Sequence, residues 1–327
     1  VVRHHQIDFA SGALVFPGVA RTPAKPVPSA TIMMLRDGPE GLEVFMVVRH
    51  HQIDFASGAL VFPGVARTPA KPVPSATIMM LRDGPEGLEV FMVVRHHQID
   101  FASGALVFPG GKADQQDFDE ALVDHIDGCP ADPDMRAIQV SAIREAFEEC
   151  GILLAREAGG TGLVSGERLA TLEPYRTTLH NGSVTMREFL DKEQLTLACS
   201  ELVHFAHWVT PSMMPKRFDT HFFLAAAPAD HLAVHDGHES VDSVWIRPAD
   251  VLDQAARGER TVIFPTLRNI EKLATFASVE EAMTATAASK VVRVEPWTER
   301  RDDGTWLCIP SEAGYAICEE LMPERAG

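Results

Sequence analysis

The stretch that decides the fold is Arg144-Glu145-Ala146-Phe147-Glu148-Glu149-Cys150-Gly151-Ile152, which follows a run, residues 134–143, without glycine or proline. At about 100° per residue, the side chains of Glu145, Glu148 and Glu149 fall within an arc of about 100°, opposite the apolar side chains. The pattern predicts an amphipathic helix with three carboxylates on one side. Because like charges three and four residues apart repel each other, a divalent cation would stabilise this arrangement. Carboxylate oxygens are ligands that Mg²⁺ and Mn²⁺ prefer.

A solvent-exposed acidic face is the alternative interpretation, because glutamate is a common surface residue. A glycine-rich segment ahead of the helix, Phe108-Pro109-Gly110-Gly111-Lys112, favours the cation site instead. Two adjacent glycines permit a tight turn whose amide groups approach a phosphate closely. An acidic residue, Asp117, stands six positions after Gly111, and 26 residues separate it from Arg144.

These two segments resemble the two halves of the Nudix box, and the chain is identified as a member of the Nudix hydrolase superfamily. In that motif a glutamate stands six residues after the glycine, and seven residues separate it from the Arg-Glu pair. This chain therefore carries nineteen additional residues inside the box. The insertion, together with the later segment Lys216-Arg217-Phe218-Asp219-Thr220, resembles the peroxisomal coenzyme A diphosphatase branch of the superfamily.

The resemblance implies an α/β fold, a Nudix α/β/α sandwich with a mixed β-sheet and extra helices. It implies divalent-metal-dependent hydrolysis of a phosphoanhydride bond in a nucleoside diphosphate derivative. The favoured substrate is coenzyme A or acyl-CoA, which would give adenosine 3′,5′-bisphosphate and 4′-phosphopantetheine. Two alternatives remain open: an ADP-ribose or dinucleotide pyrophosphatase, and a non-catalytic Nudix-fold binding domain. The second would be supported by loss of box carboxylates, and all three are present.

Site residues follow from the same resemblance. The expected ligands of Mg²⁺ or Mn²⁺ are Glu145, Glu148 and Glu149, and Arg144 would orient a carboxylate through charge-assisted hydrogen bonds. The base that activates water is either a box glutamate, such as Glu145, or a residue on a distant loop, for which the candidate is Glu239. The residues expected to contact the substrate are the glycine turn with its lysine and, provided that their loop faces the glutamate helix, two later cations: Gly110, Gly111, Lys112, Lys216 and Arg217.

The N-terminal third of the chain is repetitive. Residues 1–46 recur without change as residues 47–92, and residues 93–110 begin a third copy. Natural repeats share a pattern but rarely full identity, and each supplies a complete structural unit. This unit breaks off in mid-turn, so we interpret residues 1–64 as copies from a duplication artefact. Residues 65–327 are then a single Nudix hydrolase domain, with the box insertion at about residues 117–133.

The balance of charges and the cysteines restrict the function further. The chain has 46 acidic and 29 basic residues and a net charge of −17, which argues against nucleic-acid binding. We expect a small-molecule nucleotide derivative as the partner, no membrane association, and leave a homodimer open. Five cysteines without a Cys-x-x-Cys pair argue against a zinc knuckle or disulfide framework. With neither a leader nor a Ser-Lys-Leu-type end, we expect a cytoplasmic protein.

Local patterns predict several elements around the box. Apolar segments on either side of a glycine-rich turn predict a hairpin with strands at residues 75–81 and 88–95. The insertion is expected to contain a short helix at residues 117–125, and either Asp132 or Asp134 is expected to cap the main helix. A further helix is predicted at residues 185–197.

Overall fold

The computed structural model describes residues 70–95, 104–214, 216–231 and 240–322, together with the backbone of four short strands between Met34 and Val61. The chain forms two compact units, Val1–Thr68 and Pro69–Gly327. In the first unit, Met34–Gly38 pairs antiparallel with Gly41–Phe45, and Val47–Val48 pairs with Leu60–Val61. The identical sequence 46 residues later forms the same strand pairs in the second unit. These pairings therefore follow from the local sequence.

The second unit contains strands and helices from its beginning to its end. The strands are, in chain order, β1 (Val73–Gly84), β2 (Gly87–Arg95), β3 (Leu106–Val107), β4 (Gly110–Lys112), β5 (Ile126–Asp127), β6 (Ala155–Glu157), β7 (Leu195–Ala198), β8 (Val203–Val209), β9 (Phe218–Ala226), β10 (Ser240–Ile246), β11 (Arg293–Val294), β12 (Trp297–Arg301), β13 (Gly304–Cys308) and β14 (Glu319–Leu321). The α-helices are α1 (Pro133–Cys150), α2 (Gly166–Leu172), α3 (Tyr175–His180), α4 (Met186–Glu193), α5 (Pro248–Ala256), α6 (Phe264–Leu273) and α7 (Val279–Ala287).

A mixed central sheet has the strand order β10-β2-β1-β9-β8-β11. The pairs β1–β9 and β8–β11 are parallel, and the other neighbours are antiparallel. The far end of β2 pairs with β3, and the beginning of β1 pairs with β4. The glycine turn is thereby held against the first residues of β1. A smaller sheet has the order β6-β7-β5, and a third joins β12, β13 and β14.

Both faces of the central sheet are covered by helices. Along β1, Ile78 and Met80 point into a core shared with α1, whereas Met79 and Leu81 point into a core shared with α5, α6 and α7. A strand that is buried on both faces reads as a continuous apolar run, which explains the sequence of β1. The predicted α/β/α sandwich with a mixed sheet is confirmed, and so is the β1–β2 hairpin.

The inserted segment of the box contains two short helical turns. The prediction of one short α-helix at residues 117–125 is wrong in type, because Gln115–Phe118 and Glu120–His125 form two 3₁₀ turns separated by Asp119. The next residues form β5, which pairs with β7 in the parallel direction. Leu122 is fully buried in the core on the α1 side. The inserted segment is thus attached to the domain through β5 and Leu122.

One predicted helix ends earlier than expected. The helix predicted over residues 185–197 stops at Glu193, because Gln194 adopts a left-handed conformation with φ 54°. The residues that follow pair with β6 and become strand β7. Within the described ranges, no helix combines the length and the apolar character needed to cross a membrane.

Candidate active site

Helix α1 carries the box glutamates, and both of its ends are fixed. Asp132 is the N-cap, since its side chain accepts a hydrogen bond of 3.1 Å from the backbone N–H of Asp134. The helix ends at Gly151, whose φ of 68° is left-handed. The Arg176 guanidinium of α3 donates to the carbonyl oxygens of Glu148 and Glu149, at 3.1–3.2 Å. These hydrogen bonds fix the last turn of α1, which carries the carboxylates of Glu148 and Glu149.

Arg144 lies at the centre of the site and is only 2% exposed. Its Nε and Nη2 each lie 3.0 Å from an oxygen of Asp117, which gives a bidentate ion pair. Its Nη1 contacts Glu145 at 3.1 Å and Glu148 at 3.3 Å, and Nη2 also donates to the Lys112 carbonyl at 3.0 Å. Burial alone would lower the pKa of Arg144, but these carboxylates raise it above its usual range.

The box carboxylates are more buried than the helical pattern predicts. Glu148 is 6% and Glu149 is 7% exposed, because the glycine turn and α3 cover this side of α1. Burial raises the pKa of Glu148 above its usual value, although Arg144 and His180 lower it. Nδ1 of His180 lies 3.7 Å from Glu148. The Glu145 side chain, at 13% exposed, is the more accessible acid.

The glycine turn is fitted to the carboxylates of α1. The Gly110 N–H donates to Oε2 of Glu149 at 3.0 Å, and Gly110 has φ 151°, which disfavours a side chain. A Cβ atom at Gly111 would collide with the Glu145 carboxylate. Lys112 has an exposed side chain at the end of β4. The structure thus brings Gly110 and Gly111 together with the box acids, as the resemblance implies.

The two cations of the later loop differ from each other. Lys216 is exposed and its Nζ lies 6.0 Å from the centre of the Phe218 ring. Arg217 is only 7% exposed, and its Nε, Nη1 and Nη2 are bonded to the carbonyls of Thr210 and Ala70 and to the Glu295 carboxylate. The expectation that Arg217 binds substrate is therefore corrected: its guanidinium joins elements of the fold. Glu239 lies outside the described residues.

Asp117 is the important residue that sequence reasoning did not place in the site. It is 1% exposed and is the partner that fixes Arg144. Its position six residues after Gly111 was the available signal, because a glutamate occupies this place in the motif. The nineteen inserted residues hid the connection, since Asp117 and Arg144 are far apart in sequence.

A divalent cation fits the charges of this site. The single positive charge of Arg144 faces three carboxylates within 3.3 Å, those of Asp117, Glu145 and Glu148, and Asp114 lies 3.8 Å away. Three such carboxylates exceed one guanidinium by two negative charges, which a dication would compensate. The donors are oxygen atoms, which suit Mg²⁺ or Mn²⁺. Glu145, Glu148 and Glu149 are the residues that would hold the ion.

Comparisons with known proteins agree with this geometry. The family model described as the NUDT19 Nudix domain matches residues 124–273. A solved structure, a NUDIX hydrolase from Alicyclobacillus acidocaldarius, is similar over 67% of this chain and 99% of that chain, with 27% identity and a TM-score of 0.58. The sandwich and its box helix are therefore similar to those of a Nudix hydrolase, and the chain resembles that superfamily.

Within the superfamily, the chain is similar to a named group of enzymes. It is 28% identical over 190 residues to the acyl-coenzyme A diphosphatase NUDT19 of Homo sapiens. The matched region is 55% of this chain and 50% of that protein. The NUDT19 protein of Xenopus laevis is 22% identical over 203 residues, 58% of this chain and 53% of that protein. The chain thus spans about half the length of these curated relatives and resembles the coenzyme A diphosphatase branch.

Proposed function

We propose that this chain is a divalent-metal-dependent diphosphohydrolase that cleaves a phosphoanhydride bond in a nucleoside diphosphate derivative. The observation that carries this proposal is the excess negative charge around Arg144, where one guanidinium faces the carboxylates of Asp117, Glu145 and Glu148. Phosphoanhydride hydrolysis needs neutralised phosphate oxygens and a water molecule aimed at phosphorus. A carboxylate site that takes up a dication beside a glycine turn meets the first requirement.

The roles of the residues follow from their positions. Bound Mg²⁺ or Mn²⁺ would supply charge neutralisation and a more acidic water. Glu145, Glu148 and Glu149 would hold the ion, and Arg144 keeps the carboxylates of Glu145 and Glu148 in place through Nη1. Glu145 is the first candidate for the base because its side chain is 13% exposed, compared with 4% for Glu148. Glu239 remains a second candidate for the base.

Coenzyme A or an acyl-CoA is the substrate we favour. The similarity to the acyl-coenzyme A diphosphatases supports this choice, and so does the insertion inside the box. Coenzyme A carries a 3′-phosphate that ADP-ribose lacks, and an acidic protein needs local cations to accept it. Lys112 and Lys216 are both exposed. They lie near the same end of the central sheet, because Lys112 pairs with Ser75 of β1 and Phe218, two residues after Lys216, pairs with Val73 of β1.

Product analysis tests both the reaction and the substrate. With Mg²⁺ or Mn²⁺, coenzyme A should give adenosine 3′,5′-bisphosphate and 4′-phosphopantetheine, separated by chromatography. ADP-ribose and dinucleotides are assayed alongside it under the same conditions. A much higher kcat/KM for ADP-ribose, with AMP and ribose 5-phosphate as products, would assign the chain to the alternative activity. Absence of hydrolysis with every substrate would favour a binding domain.

We also propose that residues 65–327 are sufficient for this activity. The second compact unit begins at Pro69, and the Ala70 carbonyl is already bonded to Arg217. A chain that starts at Val65 keeps these contacts and should match the full chain in kcat/KM and in thermal unfolding. Loss of folding in the shorter chain would contradict the interpretation of residues 1–64 as artefactual copies.

A reducing compartment such as the cytoplasm suits the cysteines. All five, Cys129, Cys150, Cys199, Cys308 and Cys318, are free thiols. The location in the cell is tested directly, by following a tagged full-length chain.

Light scattering of the purified chain would decide between a monomer and a homodimer.

A further inference from the structure

Three histidines and an aspartate meet on neighbouring strands β8 and β9, away from the box. His207 pairs with His221 and Val209 pairs with Asp219 across the two strands. A bulge between His204 and Ala206 shifts the register, so that His204 also lies beside His221, with ring centres 5.0 Å apart. The bulge brings residues three apart in sequence to the same side of β8.

The cluster lies on the α1 side of the sheet but is separate from the glutamates. Phe223 belongs to the core on the α1 side, and side chains alternate along a strand, so His221 points to the same side. His221 pairs with Ala76 of β1, which in turn pairs with Gly111 of β4. Two strand spacings correspond to about 10 Å. The cluster is therefore near the box without sharing a residue with it.

Three of these side chains converge on one point. Oδ1 of Asp219 lies 2.5 Å from Nε2 of His207 and 4.0 Å from Nε2 of His221. In the described part of the chain, His207, Asp219 and His221 are the group of at least three potential metal ligands whose ligand atoms all lie within 4.8 Å of one another. Atoms bound to one cation at about 2.1 Å lie roughly 3–4 Å apart, so movements of about 1 Å would complete the coordination.

The hydrogen bonds around His221 leave the correct nitrogen available. Nδ1 of His221 lies 3.0 Å from Nε2 of His204, so one of these two nitrogens donates to the other. In the tautomer in which Nδ1 of His221 donates, Nε2 of His221 carries the free lone pair. The lone pair on Nε2 of His221 then faces Asp219, at a distance too long for a hydrogen bond. Second-sphere hydrogen bonds fix histidine ligands in metal sites in this way.

A cation can reach the cluster from solvent, because His207 and Asp219 are partly exposed, at 18% and 35% of their side chains.

We propose that His207, Asp219 and His221 bind a transition-metal dication of the Zn²⁺ class, in a site distinct from the carboxylates of α1. Two imidazoles and one carboxylate suit Zn²⁺, Co²⁺ or Ni²⁺, whereas Mg²⁺ prefers oxygen ligands alone. Three protein ligands leave a coordination position open to water or to another ligand. His204 is a positioning residue that holds the His221 ring through its Nδ1.

Cobalt absorption tests the site, because Co²⁺ replaces Zn²⁺ and absorbs visible light when coordinated. The full chain is stripped with chelator and titrated with Co²⁺ in excess Mg²⁺. The three His-His pairs of the repeats, residues 4–5, 50–51 and 96–97, offer competing sites, so the readout is the difference between variants. The expected difference is the loss of one saturable visible band, one equivalent of Co²⁺, in His207→Ala/His221→Ala.

Matched variants separate this site from other effects. His125 also pairs with an aspartate, at 3.0 Å from Asp191, so His125→Ala should keep the band. Glu148→Gln/Glu149→Gln should keep it too, whatever its hydrolytic activity, so failure of the proposed function and failure of this site are distinguishable. His204→Phe, which retains a ring beside Phe223, should bind Co²⁺ about 10–100-fold more weakly.

Two results with the wild type and the double variant would overturn the proposal. One is a cobalt spectrum and stoichiometry that stay the same in His207→Ala/His221→Ala. The other is the absence of any saturable visible band in the wild-type chain. If circular dichroism shows that the double variant is unfolded, Asp219→Asn decides, because it keeps the size of the side chain and removes the anionic ligand. An unchanged band in folded Asp219→Asn would equally contradict the site.

Discussion

The guanidinium of Arg144 binds both carboxylate oxygens of Asp117, through Nε and Nη2, at 3.0 Å each. The nineteen additional residues of the box lie between these two partners. The pair closes the base of the inserted segment, while β5 and the buried Leu122 hold its remainder against the domain. The two ends of the inserted segment are therefore joined directly by this ion pair.

Asp117→Asn should destabilise the protein strongly. The substitution keeps the side-chain volume but replaces one of the two oxygens bonded to Arg144 with an amide NH₂ group, and loss of a hydrogen bond to a charged group costs about 1.5–3 kcal/mol. Urea unfolding should show this loss of free energy without a change in slope. Asp119→Asn is the matched control, since Asp119 is half-buried in the same insertion and asparagine also caps a helix turn. Equal stabilities of the two variants would contradict the role of the pair.

The sequence predicted α1 and its carboxylates because helical periodicity and the box spacing are local signals. It did not predict that Glu148 and Glu149 would be buried, because their cover comes from α3 and the glycine turn. The interpretation of Arg217 failed for a similar reason, since its partner Glu295 lies 78 residues away. The histidine cluster depends on a bulge and on the register of β8 with β9, which no local pattern encodes.

Gly111→Ala should lower turnover while the fold survives. A Cβ at this position meets only the flexible end of Glu145, so the carboxylate moves rather than the backbone. A displacement of about 1 Å in a catalytic group can cost about 10²-fold in rate. Gly110→Ala is the comparison, because its Cβ would meet the backbone of β1 and its φ is 151°. That variant should lose stability, measured by thermal unfolding, and Gly111→Ala should not.

Glu148→Gln and Glu149→Gln should each lower turnover by at least about 10²-fold, the effect of losing charge stabilisation in a site. Without metal, the free energy of unfolding of Glu148→Gln should be unchanged or higher. The pKa of Glu148 is raised in the fold, so its ionised form is disfavoured there and stability falls as pH rises through this pKa. Glu280→Gln, on an exposed position of α7, is the control. Normal hydrolysis by these variants, or full wild-type activity in excess chelator, would refute the metal assignment.

Arg217→Ala should destabilise the fold instead of changing substrate preference. Its guanidinium bonds Glu295 and two carbonyls, and loss of charged hydrogen bonds costs about 1.5–3 kcal/mol. The kcat/KM values for coenzyme A and dephospho-coenzyme A should change by the same factor. Lys216→Ala, which removes an exposed cation, should weaken coenzyme A by about 10-fold and leave dephospho-coenzyme A unaffected. A selective loss in Arg217→Ala would return this residue to the substrate site.

Acid should destabilise the metal-free protein through His204 and His221. Their pKa values in the fold are lowered to about 4 and about 3 from an ordinary value of 6.5, so the unfolded chain binds more protons as pH falls. Their contribution to stability is therefore fully present above about pH 6.5 and is lost progressively towards pH 4, by up to about 1.4 kcal/mol per pH unit for each histidine.

The slope of unfolding free energy against pH measures this proton uptake. The measurement uses urea unfolding in chelator between pH 4.5 and about 7. His221→Phe should reduce the slope by up to one proton relative to the wild type, and titrating groups that do not contact His221 cancel in the difference. His204 contacts His221 at 3.0 Å, so any change in its own proton uptake adds to the difference. Identical slopes for wild type and variant would show that the fold does not lower the pKa of His221.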